Sequence, residues 1–338
     1  MQKTRKDISS FILANIEDHS SDIVNVVANT FNVSRQRAHA YITREIKNGK
    51  IIKVGRTNST RYFLVAGNHI EFELKLQQNL AEDQVWIKYL KPMLIKFPES
   101  LYGICYYGFT EILNNAIEHS DGSVVYIAVS IKNQKIEMEI MDNGVGIFKK
   151  IQDALKLESI RESILHLSKG KFTTDPARHT GEGIFFTSRI FDNFSIFSSN
   201  LFYTFRNEDW IHSTERKEDF GKGTFIKMAI STRSKKTAKE VMDKYADAEI
   251  GFGKTIVAVA LSADPNDPHV SRSQAKRLMM GLEKFRTIVL DFRGVKLVGQ
   301  AFVDEVFRVF KNAHPHIEIH YLNANKEVKE MIERGKSA

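Results

Sequence analysis

The chain has 338 residues, a formal net charge of +8 and a hydrophobic content of 42%, which is enough for several domains with apolar cores. No apolar run approaches the roughly 20 residues of a membrane span, so the sequence predicts neither a membrane segment nor a signal peptide. The single cysteine, Cys105, excludes an internal disulfide and predicts a cytoplasmic location.

The first predicted module covers residues 1–66 and combines helices with a β-hairpin. Apolar residues at helical spacing predict a helix over 22–30. Ser34 is suited to cap a second helix over 34–48. Two β-rich stretches joined by a turn follow this helix. The order of helix, turn, helix and hairpin resembles a winged helix-turn-helix domain.

Basic residues are concentrated in the second helix and the hairpin. Residues 34–61 contain eight basic side chains and one acid, Glu45. This charge predicts that the module binds double-stranded DNA, and a winged helix that contacts protein is the alternative. The predicted DNA-binding residues are Arg35, Gln36, Arg37, Arg44, Lys53, Arg56 and Arg61.

Residues 67–100 are predicted to form a connecting helix. The stretch 71–90 is polar, and Trp86, Tyr89 and Leu90 give it an apolar face. Such a helix either joins two modules or forms the contact of a homodimer.

Four short motifs follow in order, at residues 111–119, 142–147, 181–184 and 223–225. In the first, Glu111 and Asn115 are four residues apart and share one face of a predicted helix. A glutamate can accept a proton, and a carboxamide oxygen can ligate magnesium beside phosphates without adding negative charge. A polar stripe on an ordinary amphipathic helix is the alternative.

The second motif begins where a predicted strand ends. Asp142 stands at that end, and a carboxylate there can accept the N6 amino group of adenine, whereas it would repel the oxygen of guanine. Gly144 and Gly146 allow the backbone to approach a ligand closely. An isolated Asp-Asn-Gly is equally typical of a turn after a hairpin.

The third and fourth motifs also combine glycine with a possible phosphate contact. Gly181 and Gly183 precede a predicted helix, whose first N–H groups and dipole favour an anion. Thr224 opens the last predicted strand and can donate a hydrogen bond to a phosphate oxygen. Each of these motifs alone would be weak support for a nucleotide site.

Together, the order and spacing of the four motifs resemble the GHKL (Bergerat) ATP-binding fold of gyrase, Hsp90, histidine kinases, MutL and the anti-sigma serine kinases, over roughly residues 75–230. The anti-sigma serine kinases look most similar. The resemblance implies ATP and Mg²⁺ as cofactors. It implies these roles: general base for Glu111, magnesium ligand for Asn115, adenine reader for Asp142, pocket floor for Gly144 and Gly146, phosphate contacts for Gly181 and Gly183, and adenine-side support for Thr224.

The segment 148–180, between the second and third motifs, looks like a nucleotide lid. One amphipathic helix is predicted over 151–167, followed by a polar stretch with glycine and proline. Lys169, Lys171 and Arg178 are candidates to reach phosphates from this lid. A solvated loop is the alternative for each of them.

After a predicted linker helix over 233–250, residues 251–338 alternate strands with helices, which predicts a small α/β layer. The run 288–307 resembles a STAS-like domain, a relative of the anti-anti-sigma fold. That resemblance implies a protein partner for this domain. The place of the phosphorylatable serine of the anti-anti-sigma proteins reads Gly299-Gln300-Ala301, without a hydroxyl.

The predicted fold class is therefore multidomain α+β: a winged helix, then a GHKL α/β sandwich over 101–232 whose helical start reaches back to about 75, then a STAS-like domain. The predicted function is an ATP-binding, DNA-binding transcriptional or signalling regulator that hydrolyses ATP slowly. The alternatives are a serine/threonine kinase of the anti-sigma type acting on a separate protein, and a non-catalytic nucleotide-sensing module. A histidine kinase is disfavoured, because such an enzyme needs a phosphoacceptor histidine on a helix just before its ATP-binding domain. The sole histidine between His39 and His119 is His69, which follows the predicted hairpin.

Overall fold

The computed structural model describes residues 5–16, 18–54, 60–64, 68–77, 80–173, 180–206, 209–212, 222–247, 251–262 and 269–337. The chain divides into two compact units. The first comprises Met1–Gly144 with Gly223–Lys235, and the second comprises Val145–Lys222 with Lys236–Ala338. Within the described ranges, no helix is both long and apolar enough to cross a bilayer.

Three helices and an antiparallel hairpin form the N-terminal part of the first unit. They are α1 (Arg5–Asn15), α2 (Ile23–Phe31), α3 (Arg35–Lys47), β1 (Ile51–Val54) and β2 (Arg61–Leu64). Their buried side chains pack into one apolar core: Ile8, Ile12, Ile16, Ile23, Val27, Ala28, Ala38, Ile42, Ile51 and Tyr62. Helix α1 was not predicted, whereas α2, α3 and the two strands lie where the sequence predicts them.

Two residues define the turn between α2 and α3. Asn32 adopts the left-handed conformation and ends α2, with its N–H bonded to the carbonyl of Ala28. Ser34 is extended, and its hydroxyl accepts a hydrogen bond from the N–H of Arg37 at 3.2 Å. The predicted N-cap is therefore confirmed.

The other described residues form one long helix, several short helices and three sheets. The strands are β3 (His69–Lys75), β4 (Val124–Lys132), β5 (Lys135–Asp142), β6 (Asn193–Ser198), β7 (Leu201–Arg206), β8 (Asp209–His212), β9 (Thr224–Ser231), β10 (Ala246–Asp247), β11 (Gly251–Phe252), β12 (Lys254–Ala258), β13 (Thr287–Asp291) and β14 (Glu318–Leu322). The helices are α4 (Glu82–Val85), α5 (Lys91–Leu94), α6 (Glu99–His119), α7 (Ile147–Leu155), α8 (Glu162–Lys169), α9 (Gly183–Ile190), α10 (Ala238–Asp243), α11 (Arg272–Met279), α12 (Gln300–Asp304), α13 (Lys311–Ala313) and α14 (Lys326–Ser337).

In the first unit, four antiparallel strands lie in the order β3-β4-β5-β9, and α6 packs against β5. Strand β5 buries Ile136, Met138 and Ile140 in alternation, as the sequence predicts. Helix α6 buries apolar residues three and four positions apart, among them Phe109, Ile112 and Leu113. This packing fixes the helix that carries the first motif.

The connecting segment is only partly helical. The prediction of a helix over 71–90 is wrong for its first residues, because His69–Lys75 pairs with β4 as strand β3. Its alternating burial, with Ile70 and Phe72 inside, has the period of a strand. A helix does follow, as α4, a π-helical turn over Trp86–Leu90, and α5. Trp86 donates to the hydroxyl of Tyr102 on α6 at 2.7 Å.

In the second unit, β6, β7 and β8 form an antiparallel ribbon that was not predicted. The prediction of a single lid helix over 151–167 is wrong: α7 ends at Leu155, the following Lys156 takes the left-handed conformation, and α8 begins only at Glu162. The predicted linker helix over 233–250 reduces to Ala238–Asp243. Strands β12, β13 and β14 form a parallel sheet with α11, α12 and α14 between and after them, so the α/β layer predicted for residues 251–338 is present.

Candidate functional site

Asp142 lies at the end of β5 in a turn that holds its carboxylate in place. The side chain is 7% exposed. Its Oδ1 atom accepts the N–H of Gly144 at 2.9 Å and the N–H of Thr224 at 3.3 Å. The structure thus brings the second motif and the fourth together through one carboxylate oxygen. Asp142 and Gly144 form the turn after β5, and the start of β9 at Thr224 is hydrogen-bonded to that turn.

Two glycines make this turn possible. A Cβ atom on Gly144 would lie 2.0 Å from the carbonyl oxygen of Ser120, and one on Gly223 would lie 2.0 Å from the carbonyl oxygen of Asp142. Gly223 also has φ +112°, which other residues rarely adopt. Only glycine fits at either position without displacing backbone.

The site prediction did not include two residues that hold this turn, Ser120 and Asn143. Ser120 accepts the N–H of Gly122 at 2.9 Å just after α6 ends. Asn143 accepts the N–H of Ser123 at 2.8 Å and of Val124 at 3.1 Å. These bonds tie the end of β5 to the start of β4. Asn143 lies inside the second motif, and that position in the sequence could have indicated its role in holding the turn.

Glu111 and Asn115 lie on adjacent turns of α6, as predicted, and both side chains are partly buried. The carboxamide Nδ2 of Asn115 donates to the backbone carbonyl of Glu111 at 2.8 Å. Because the donor half is bonded to the helix, the carboxamide oxygen is the half suited to a cation. The preceding residue, Asn114, instead donates to the Glu118 carboxylate at 3.2 Å on the exposed side.

The other three glycines of the prediction belong to the second unit. Gly146 has φ +97° and caps the start of α7, and Gly181 has φ +71°. Gly183 is the first residue of α9, so the third motif opens a helix as predicted. The first N–H groups of a helix have no acceptor within the helix, so the N-terminus of α9 is suited to bind an anion.

Two of the lid cations are held within the second unit. The prediction that Lys169 reaches phosphates is wrong in this structure, because its side chain is buried and donates to the carbonyls of Arg277 and Met280. Burial lowers the pKa of Lys169 to about 7. Lys171 donates to the carbonyl of Lys284 at 3.1 Å, and burial lowers its pKa as well. Arg178 lies outside the described residues.

The predicted DNA-binding residues that the structure describes lie on the surface of the N-terminal module. Helix α3 buries Ala38, Ile42 and Glu45 on one face. Its exposed residues include Arg35, Gln36, Arg37, Arg44 and Lys47, and Arg61 on β2 is exposed as well. Lys53 on β1 is half-buried, and Arg56 lies outside the described residues.

Comparisons with known families agree with this geometry. Residues 105–234 match the family described as "Histidine kinase-, DNA gyrase B-, and HSP90-like ATPase". Residues 274–329 match the family described as "STAS-like domain of unknown function (DUF4325)". A comparison with curated proteins found no match to this chain.

The chain therefore carries a GHKL-type ATPase domain followed by a STAS-like domain. The first match spans α6, the Asp142 turn, α9 and β9, and a domain of this type implies nucleotide binding. Mixed α/β architecture, as predicted, is confirmed for both matched segments.

Proposed function

We propose that this chain is an ATP-binding and DNA-binding regulator. The buried carboxylate of Asp142 is the observation that carries the nucleotide part. Two backbone N–H groups hold one of its oxygens, so the carboxylate has a fixed direction before any ligand arrives. A fixed acceptor suits the N6 amino group of adenine and opposes the oxygen that guanine has at that place.

Asn115 and Glu111 would serve the phosphate end of the same ligand. The bond from Asn115 Nδ2 to the helix carbonyl sets the carboxamide so that its oxygen acts as a magnesium ligand. Bound Mg²⁺ would supply charge neutralisation for the phosphates. Glu111, one helical turn earlier, would accept a proton from the attacking water or hydroxyl. In the same proposal Gly144 lies at the pocket floor, and Thr224 supports the adenine side.

The N-terminal module is proposed to be a winged helix that binds duplex DNA. Three helices and a hairpin share one core, and α3 follows a tight turn in the way of a recognition helix. Its exposed residues are mostly basic or carry an amide. Residues 34–61 contain eight basic residues and a single acid. That acid, Glu45, is buried and paired with Ser9 and Lys50, so it offsets one of the eight basic residues and leaves the module strongly positive.

One observation bears on the fate of the γ-phosphate. The N–H of Gly299 donates to the backbone carbonyl of His269 at 2.8 Å, and a Cβ atom on Gly299 would lie 2.7 Å from the Cα of Val270. This close approach excludes a serine at Gly299. Because Gly299-Gln300-Ala301 also contains no hydroxyl, transfer to that site of the chain's own STAS-like domain is disfavoured, and water or a separate protein is the proposed acceptor.

Incubation with γ-labelled ATP and Mg²⁺ tests this proposal when free phosphate and labelled protein are followed together. Slow release of free phosphate is expected, and Glu111→Gln should lower it by about 10²–10⁴-fold while nucleotide remains bound. Glu118→Gln is the matched control on the same helix and should retain the wild-type rate. Label appearing on an added protein would support the kinase alternative, and absence of both products with intact binding would support the sensing module.

A further inference from the structure

The lid segment of the ATPase domain belongs to the same compact unit as the STAS-like domain. Residues Val145–Lys222, which include the lid, lie entirely within the matched ATPase segment 105–234, yet they group with Lys236–Ala338. The contacts that unite them converge on the end of α8. These contacts therefore show which part of the ATPase domain the STAS-like domain binds.

Lys169 is the last residue of α8 and is 2% exposed. Its Nζ atom donates to the carbonyl of Arg277 at 3.1 Å and to the carbonyl of Met280 at 2.9 Å. Both carbonyls stand at the C-terminal end of α11, where helix carbonyls lack helical partners and the dipole favours a cation. A lysine of the lid thus caps a helix of the STAS-like domain.

The backbone of Lys169 is held as well. Its carbonyl accepts the hydroxyl of Thr255, on β12, at 2.7 Å, and Thr255 is fully buried. One residue of the lid is therefore bonded through its side chain to α11 and through its main chain to the first strand of the parallel sheet. The lid cannot move away from the STAS-like domain at this end unless these buried hydrogen bonds break.

Aromatic packing continues the contact from α8 to α9. The ring of Phe252, just before β12, lies 4.5 Å from that of Phe185 and 4.8 Å from that of Phe186, measured between centroids. Lys171 lies 4.9 Å from the centroid of the Phe285 ring. The helix that opens with Gly183 is thus packed on the STAS-like domain together with the lid.

We propose that the STAS-like domain is the docking partner of this chain's own lid, and that it sets how readily the lid responds to nucleotide. This inference rests on the proposed nucleotide-binding function. A nucleotide that orders the lid would have to act on α8, α9 and the STAS-like domain as one body. By reciprocity, anything that binds the STAS-like domain with a preference for one lid position would change nucleotide affinity by the same factor.

Hydrogen–deuterium exchange of the full-length protein tests this inference with Thr255→Val. This change removes the hydroxyl bonded to Lys169 at nearly constant volume. The matched control is Thr187→Val, because Thr187 is equally buried and its hydroxyl has no hydrogen-bond partner among the described residues. In a second pair, Lys169→Met is the test variant and Lys276→Met is its control, because Lys276 is an exposed lysine on α11.

Both test variants should exchange faster than wild type in 162–170 and 272–285, with both controls unchanged. The increase should be about tenfold for the one buried hydrogen bond lost in Thr255→Val, and larger for the two lost in Lys169→Met. In the wild type, Mg-ATP should protect 162–170 and 272–285 together with 142–146. Protection of 142–146 alone, or unaltered exchange at 162–170 in folded test variants, would overturn the inference while leaving nucleotide binding intact. Absence of protection in every segment would overturn the proposed function itself, and this inference with it.

Discussion

The carboxylate of Asp142 and the backbone N–H of Thr224 are joined by a hydrogen bond of 3.3 Å across 82 positions of sequence. The segment that separates them contains the lid, α9 and three strands, most of it in the other compact unit. This bond closes the turn on which the adenine-binding proposal depends. The predictions that follow test that turn, the helix beside it and the basic surface.

Asp142→Asn should weaken ATP binding by about 1.5–3 kcal/mol, the range for a hydrogen bond to a charged group. The substituted side chain keeps an oxygen for the two N–H groups, so the turn should persist. Its amide nitrogen replaces an acceptor with a donor, which suits guanine better than adenine. Calorimetric titration of both proteins with Mg-ATP and Mg-GTP should show the ATP preference falling, and equal wild-type affinities for the two nucleotides would remove the adenine-reading role.

Asn115→Ala should abolish magnesium-dependent ATP binding without unfolding the protein, since the residue is only partly buried. Asn114→Ala provides a neighbouring control, because that carboxamide bonds to Glu118 on the exposed side of α6. Titrations with ATP in magnesium and in EDTA should separate the two variants. If both bind Mg-ATP as the wild type does, Asn115 is not the magnesium ligand.

Gly144→Ala should destabilise the protein by about 1–3 kcal/mol, the usual cost of forcing extra atoms into a packed site. The added Cβ would meet the Ser120 carbonyl at 2.0 Å. Gly103→Ala is the reference, because Gly103 is exposed in the second turn of α6 and no atom outside the helix's own backbone lies within 4 Å of its Cβ position. That change should stabilise by about 0.5–1 kcal/mol. Urea unfolding of the three proteins measures both effects, and equal stabilities would show that the turn is not packed as described.

The buried ammonium of Lys169 predicts a dependence of stability on pH. Burial lowers its pKa in the folded protein from 10.5 to about 7, so the unfolded chain binds more protons between these values. Stability from this group should therefore rise with pH over that window, by up to about 1.4 kcal/mol per pH unit. The free energy of unfolding of the wild type relative to Lys169→Met, measured in urea at pH 7.5 and 9, should increase with pH. A difference that stays constant would show that the pKa of Lys169 is not lowered in the folded protein, and would contradict its burial.

Sequence patterns were sufficient where a local rule determines structure. The N-cap at Ser34, the alternation of β5 and the helical spacing of α6 all follow from nearest neighbours along the chain. The first strand of the sheet, His69–Lys75, was misread because its polar residues look helical, and pairing with β4 decided its conformation. The order of the motifs indicated the nucleotide site, but the bond between Asp142 and Thr224 depends on tertiary pairing.

The position of Lys169 shows a limit of another kind. A lysine in a polar stretch after a helix is usually solvated, and the sequence suggested a role toward phosphates. Its burial depends on two carbonyls more than 100 positions away, at distances of 3.1 and 2.9 Å. No local pattern encodes such a partner, because backbone carbonyls carry no sequence signature.

The basic surface is tested by Arg35→Ala combined with Arg37→Ala, which removes two cations from the start of α3. Each lost phosphate contact should reduce the log–log salt slope of duplex DNA binding by about 0.9. Loss of a base contact would instead relax sequence preference. Lys235→Ala with Lys239→Ala removes the same charge from two exposed positions outside the module, and this control should keep the wild-type slope.

The most direct test of a nucleotide-regulated DNA binder is fluorescence anisotropy of a labelled duplex at low salt, with and without Mg²⁺ and a non-hydrolysable ATP analogue. We expect binding by the wild type, an affinity that changes with the analogue, and loss of that change in Asn115→Ala. Absence of duplex binding in both nucleotide states would contradict the account and make the N-terminal module a protein-contact domain.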